Sequence, residues 1–246
     1  MSTLPKLDAI WVYLAASPLL GLTLTIVAYL IAQFLYVRAR YNPLANPVLI
    51  AIAAIVALLT ITKTSYATYF EGAQFVHFLL GPATVSLALP LYRNWDRLRR
   101  AAIPVMGGVI VGSLTGIFSA IVLAALFGAP YQTLASLAPK SATTPIAMAV
   151  SSELGGLPSL TAVLVISTGI FGAVSAQSIL TVLRINEPDV CGLALGIASH
   201  GIGTARAFQV SEEMGAFAGL GMGLNGIFTA VIAPIVVPFV AHWLLR

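Results

Sequence analysis

The sequence predicts an all-α, polytopic membrane bundle of about 6–8 membrane segments, two of them broken or re-entrant helices, built on an inverted repeat. Three observations lead there. Of 246 residues, 59% are hydrophobic and only 8% are charged, against roughly 25% charged in soluble domains. The charged positions leave uncharged runs at 9–37, 41–62, 101–139, 154–183 and 214–245, each as long as the ~20 apolar residues a spanning helix needs. Finally, two polar clusters rich in proline or glycine, at 139–152 and 192–206, interrupt otherwise apolar sequence.

The first run begins near "WVYLAAS" at 11–17, which resembles the apolar part of a secretion signal. Lys6 is offset by Asp8 and the run continues to Val37, so it reads as the first helix, with no cleavage. Run 41–62 gives a second crossing. Segment 72–92 is a weaker candidate because Gln74 and His77 interrupt it. The basic residues gather in "RAR" at 38–40 and "RNWDRLRR" at 93–100. Two crossings between these loops place both on one face, which the positive-inside rule makes cytoplasmic, with the N-terminus outside. The net charge of +4 is therefore a topology determinant and points to no nucleic-acid partner. Runs 101–139, 154–183 and 214–245 are the remaining firm crossings, while 190–205 is too short and glycine-rich to span unaided. The single cysteine, Cys191, excludes an intrachain disulfide or a multi-cysteine metal site and reads as a small buried side chain.

An internal echo supports duplication. "ATVSLALP" at 83–90 resembles "ATTPIAMA" at 142–149, and "TGIFSA" at 115–120 resembles "TGIFGA" at 168–173, in the same order and separated by 59 and 53 positions. Helix 101–127 leaves a cytoplasmic loop and helix 157–183 ends at Arg184, so the copies run in opposite directions. Inverted repeats with broken helices are a plan of secondary transporters, with substrate bound near the midplane. The pairing carries a conflict. If 139–152 dips in and returns, its counterpart before Arg93 should do so too, and the loop charges then disagree with the inside rule.

In the first cluster, "PKSATTPIAMAV" at 139–150, Pro139 and Pro145 cannot both lie in one regular helix without freeing backbone carbonyls. In lipid such groups need protein or a water-filled cavity. Thr144 followed by Pro145 reads as an N-cap and first helical residue of a short helix running to about Ser152. Its N-terminus points back at Lys140, Ser141 and Thr143. Amide donors, a partial positive charge, hydroxyls and an ammonium together suit a small anion, of which carboxylate is the commonest. Alternatively Lys140 lies at the membrane surface and the hydroxyls satisfy backbone groups. Glu153 either pairs with Lys140 or is solvated before the turn "LGGLP" at 154–158.

The second cluster, "GLALGIASHGIGTARAF" at 192–208, carries Ser199, His200, Thr204 and Arg206. On a helix Gly192, Gly196, His200 and Thr204 share a face, although Gly201 and Gly203 weaken that helix. Ionisable residues inside a membrane usually face the bundle interior or a water path. His200 is thus a candidate proton-coupling group, and Arg206 could hold a carboxylate through two hydrogen bonds; packing is the alternative for both. His77 and His242 read as interfacial. The rows Gly108/Gly112/Gly116 and Gly215/Gly219/Gly223 read as helix packing faces. Asn225 and Thr229 are further contributors to the substrate site. No nucleophile–base pair or metal-ligand set appears, so the chain is not read as an enzyme, and no cofactor is expected.

"PKSATTPIAMAV", "LGGLPSLTAV" and "GLALGIASHGIGTARA" resemble the LrgB/CidB family of bacterial membrane proteins, from about residue 10 to the end. Plant relatives of that family form the C-terminal half of the plastid glycolate/glycerate translocator. The resemblance implies that residues 1–246 are a single LrgB-like transmembrane domain in the cytoplasmic (inner) membrane. It also implies one of two roles: moving small monocarboxylates such as glycolate, glycerate or pyruvate, or modulating murein hydrolase activity and autolysis with a holin-like LrgA/CidA partner. Under the first, the substrate-binding residues are Lys140, Ser141, Thr143, Thr144, Ser199, His200, Thr204, Arg206 and Asn225. The expected partners are a small carboxylate anion, the lipid bilayer, the holin-like protein and further copies of this chain. The holin-like half fused in the plant protein is lacking here.

Overall fold

The computed structural model describes residues 18–42, 45–79, 82, 85–86 and 88–244. The reading of residues 11–17 as the start of a first helix lies outside them, as does part of the 83–90 echo. Every element among the described residues is an α-helix, and the chain divides into two compact units, Met1–Ser86 and Leu87–Arg246.

In the first unit α1 (Pro18–Arg38), α2 (Pro47–Thr62) and α3 (Tyr66–Phe78) pack around α1. Helix α2 starts where Asn46 accepts the amides of Val48 and Leu49 and Pro47 presets the first turn. It stops at Lys63, which adopts a left-handed conformation with φ 53°. At 16 residues, or ~24 Å, α2 is shorter than the ~30 Å hydrocarbon core. The run 41–62, read as a firm crossing, thus yields only a short apolar helix, which starts after the Asn46 cap and ends, as the run does, at Thr62. Thr25 and Tyr69 share a hydroxyl hydrogen bond of 2.6 Å that ties α1 to α3.

The second unit follows α4 (Ala88–Arg93) and α5 (Trp95–Arg100) with three long helices, α6 (Ala102–Leu126), α9 (Pro158–Val182) and α11 (Glu212–Leu244). With α1, these are the four described helices long and apolar enough to cross a membrane. Between α6 and α9 lie α7 (Tyr131–Leu137) and α8 (Thr144–Glu153); between α9 and α11 lies α10 (Pro188–Val210). The run 101–139, expected as one crossing, is interrupted at Gly128, whose φ of 76° no helix accommodates.

Helices α6 and α11 run parallel. Val105 and Val109 share a cluster with Phe217, Ser113 bonds Asn225, and Ile117 and Ile121 share a cluster with Ala233 and Val237. Two helices separated by one intervening crossing should be parallel, and α9 is that crossing. Consistently, the ion pairs Arg93–Glu212 (3.3 Å) and Arg97–Glu213 pin the basic segment before α6 to the start of α11.

Candidate functional site

The segments flanking α9 both fold as hairpins. In the first, residues 131–153, Leu134, Ala135 and Ala138 pack against Val150 and Leu154, so α7 and α8 are antiparallel arms with a tip at 138–143. Buried polar groups fasten the open end of this hairpin to α9. The Leu157 amide donates to Ser136 Oγ at 2.7 Å, and the Thr161 hydroxyl is bonded to Ser151 Oγ at 2.7 Å and the Ser136 carbonyl at 3.0 Å. Gly156 fits here because any side chain would collide with Ser136 and Ser151. Helix α8 is capped at Thr143, starts at Thr144 and places Pro145 in its first turn, one residue earlier than expected. The Thr143 hydroxyl makes no capping bond. Glu153 ends α8 exposed, before Gly155 turns the chain at φ 75°.

The second hairpin is α10 itself. Its helical path is broken at Ser199 (φ −131°, ψ 15°) and His200 (φ 41°, ψ −133°), and the two halves fold back on one another. Gly203 abuts the Leu195 carbonyl and Ser199 Cβ, and Cys191 and Leu195 pack with Ala207. Both arms lie on α11. Gly192 and Gly196 of the first arm leave room only for the carbonyls of Met214 and Ala218, while Phe208 of the second arm fills the space at Gly215. The expected face Gly192/Gly196/His200/Thr204 therefore does not exist as one stripe, since the reversal at 199–200 places Thr204 on the returning arm.

The two tips meet halfway along all three long helices. On α6, Ile197 of hairpin 2 packs at Gly112, and Ser141 of hairpin 1 lies one turn on, 3.8 Å from a methyl built at Gly116. On α9, Val165 packs with Ala142 and Ala147 of hairpin 1, while its carbonyl lies 2.9 Å from His200 Nε2. On α11, Thr204 reaches Met222 Sδ at 3.8 Å, and Asn225 Nδ2 donates to the Ser141 carbonyl at 3.0 Å. Asn225 Oδ1 accepts from the Ser113 hydroxyl and, at 3.5 Å, from Thr229. Ser113, Asn225 and Thr229 are each 0% exposed.

Small residues make this approach possible. A methyl at Gly169 would lie 2.7 Å from His200 Cε1, and one at Gly172 would overlap the Ser199 hydroxyl. Ser199 Oγ is buried without a hydrogen-bond partner in the protein. The Thr204 hydroxyl bonds the His200 carbonyl, one turn earlier on the returning arm, at 2.8 Å. Two helix N-termini, that of α8 and that of the second arm of α10 at Gly201, end at the tips, so amide donors and positive dipole ends gather where Lys140 is half-buried.

Lys140, Ser141, Thr143 and Thr144 thus occupy one tip, Ser199 and His200 the other, with Thr204 one turn behind and Asn225 at the junction. Arg206 is not brought to the junction. It sits six residues from His200, or ~9 Å along the arm, with its guanidinium bonded to Gln177 Oε1 at 3.3 Å and Gln209 Oε1 at 3.2 Å. It lines a pocket with Cys191 and Leu195. Of the two predicted glycine rows, Gly108 and Gly112 meet Leu193 and Ile197, whereas Gly219 and Gly223 meet nothing within 4 Å. Close packing on α11 falls at Gly215, which belongs to the predicted row, and at Gly221 and Gly226, which do not.

Sequence reasoning missed Ser113, Val165 and Met222. One signal marks the level of the three helices at which they sit, since each lies just before a copy of the "TGIF" echo, of which "NGIFTA" at 225–230 is a third. Its glycine, Gly226, faces Ile146 beside tip 1, as Gly116 faces Ser141 and Gly169 faces His200. Among the described residues a long helix followed by a hairpin occurs twice, at 102–153 and 158–210, with tip 2 in the place of tip 1.

The LrgB-like family model matches residues 25–239. The chain is 38% identical to the uncharacterized protein YxaC of Bacillus subtilis over 214 residues, covering 87% of this chain and 93% of that one. It is 32% identical to the holin-like protein CidB of Staphylococcus epidermidis, with 89% and 95% covered, and 28% identical to the antiholin-like protein LrgB of Bacillus cereus, with 91% and 97% covered. No solved structure matches.

Proposed function

Starting from the fact that the chain belongs to the LrgB-like family, we propose that it is a secondary transporter of small monocarboxylates of the glycolate, glycerate and pyruvate class in the cytoplasmic membrane. One observation carries the reading: two hairpins enter from opposite ends of three long helices and meet tip to tip at mid-height. Non-helical backbone at that depth is tolerated only beside protein or a water-filled cavity, and paired breaks are where secondary transporters hold their substrates. The anion is held by Lys140, the hydroxyls of Ser141, Thr143, Thr144 and Ser199, and the N-termini of α8 and the returning arm. Thr204 and Asn225 hold the tips in place. His200 carries the coupling proton, its ring positioned by the Val165 carbonyl. Arg206, two turns away, meets the carboxylate outside this junction.

The relatives' names favour a second reading, a holin- or antiholin-like regulator of murein hydrolase activity and autolysis acting with an LrgA/CidA-type partner. Proteoliposomes separate the two. The transporter reading expects the chain alone to take up radiolabelled glycolate or pyruvate under an inward proton gradient. Uptake that is absent with the chain alone and with a co-reconstituted holin-like partner, while that pair releases a trapped dye, would leave the second reading standing.

A further inference from the structure

We propose that His200 sets the specificity of the junction, its Nδ1 reading the oxygen on the carbon next to the substrate carboxylate, so that a 2-oxo acid is held only with a proton on that nitrogen and a 2-hydroxy acid with or without one. This role rests on the transport reading and names, within it, the atom that tells these acids apart.

A backbone carbonyl only accepts, so the 2.9 Å contact with Val165 puts a proton on His200 Nε2. The lone pair of the neutral ring is then on Nδ1. The Cε1–Nε2 edge is turned to α9, where a methyl built at Gly169 would lie 2.7 and 2.8 Å from those two atoms. Nδ1 makes no hydrogen bond, although the residue is only 5% exposed. On the other tip the Ser141 hydroxyl, on a residue also 5% exposed, makes none either. Among the described residues, the polar side-chain atoms sealed from water without a partner are Gln33 Oε1 and Ser199 Oγ, so Nδ1 and Ser141 Oγ both stay within reach of a small molecule. With the carboxylate on Lys140 and Ser141, the oxygen on the next carbon faces Nδ1. Neutral Nδ1 accepts from a hydroxyl but sets its lone pair against that of a carbonyl, whereas protonated Nδ1 donates to either. Few other charges bear on the ring. Helices α6 and α9 carry no ionisable residue, those of α11 lie at its ends, Tyr131 and Glu153 lie at the open end of hairpin 1, and Asp189, Cys191 and Arg206 of α10 are six or more residues from His200. Lys140 on the facing tip is the exception, and a bound carboxylate offsets its repulsion of a second positive charge.

Calorimetric titration of the full-length protein in nanodiscs with lactate, pyruvate and propionate, which share a carbon skeleton and a single carboxylate, tests this. In buffers of different ionisation enthalpy the heats also read the protons taken up on binding. Propionate, with no oxygen at the second carbon, sets the baseline; pyruvate should take up more proton than propionate, and lactate should not. From pH ~8 to pH ~5, across the histidine range, the preference for lactate over pyruvate should fall about tenfold, the worth of one hydrogen bond to a charged group. His200→Gln, whose amide offers both a donor and an acceptor, should bind the two acids in a ratio independent of pH. His200→Asn, shorter but more tolerant of the positive φ, makes the same comparison. If none of the three acids binds the wild-type protein, the transport reading fails and this role with it. If they bind with a ratio independent of pH and equal proton uptake, or if both variants keep the wild-type pH dependence, the transport reading stands and the role of Nδ1 is overturned.

Discussion

At the scale of single residues, the junction depends on atoms that are missing. Gly172 and Gly169 lack the Cβ that would strike Ser199 and His200, so the tip of hairpin 2 can press into α9. Gly172→Ala should destabilise the protein by about 1–3 kcal/mol, the range for forcing atoms into a packed interior. Gly223→Ala, where nothing lies within 4 Å, should be neutral or slightly stabilising, since alanine favours a helix by up to ~1 kcal/mol. Thermal unfolding in detergent measures both, and equal effects would mean that the Gly172 contact is not formed. Asn225 works in the opposite way, by what it supplies. It is fully buried and joins Ser113 of α6 to the Ser141 carbonyl of tip 1. Asn225→Ala strands both partners and should cost about 1–3 kcal/mol, with Leu224→Ala as a comparison that removes volume but no hydrogen bond.

At the scale of elements, the deciding feature is the reversal inside α10. His200 holds φ at 41°, a conformation that costs an ordinary residue roughly 1–3 kcal/mol and that glycine adopts freely. This allows the two roles of His200 to be separated. His200→Gly should keep the reversal, and with it substrate exchange across proteoliposomes, while abolishing uptake driven by a proton gradient, because no titrating ring remains. His200→Gln removes the proton function but keeps the strain, so it should lose the same uptake and unfold more readily than His200→Gly. Gradient-driven uptake at wild-type rate in either variant removes His200 from coupling. The same element shows what the sequence could and could not disclose. The break at 139–145 was legible because two prolines forbid a helix there. A break in the 192–206 cluster was expected from its polar residues and from Gly201 and Gly203, but its place at 199–200 and the full reversal were not legible, since serine is only a weak turn former, histidine is none, and the four-residue spacing of Gly192 and Gly196 fits an unbroken helix equally well. Glycines serving the approach of Met214 and Ala218 are indistinguishable in sequence from glycines weakening a helix. Asn225 stood out only as a polar residue in an apolar helix, and its partners lie 112 and 84 residues away in the chain.

At the scale of the whole second unit, hairpins and long helices alternate, and that alternation makes a claim about sides. Hairpin 1 opens beside the C-terminal ends of α6 and α11, and hairpin 2 beside their N-terminal ends. The described basic side chains Arg93, Arg97, Arg99, Arg100 and Arg184 lie in the segments at the second of these ends, whereas the linkers 127–130 and 154–157 at the other carry no charge. The positive-inside rule predicts that hairpin 2 enters from the cytoplasm and hairpin 1 from outside. With Cys191 replaced by serine, single cysteines at Ser152 and Asn186, both exposed, report the two open ends. Ser152→Cys should react with a membrane-impermeant maleimide in intact cells. Asn186→Cys should react only after permeabilisation, together with Trp95→Cys, whose side chain is exposed in the basic segment. Opposite labelling is what two hairpins entering from opposite faces toward one midplane site require, because the open end of each stays on its own side. Labelling of Ser152→Cys and Asn186→Cys from the same side would place both hairpins on one face, and neither the meeting of their tips at mid-height nor transport through that meeting point would survive the result.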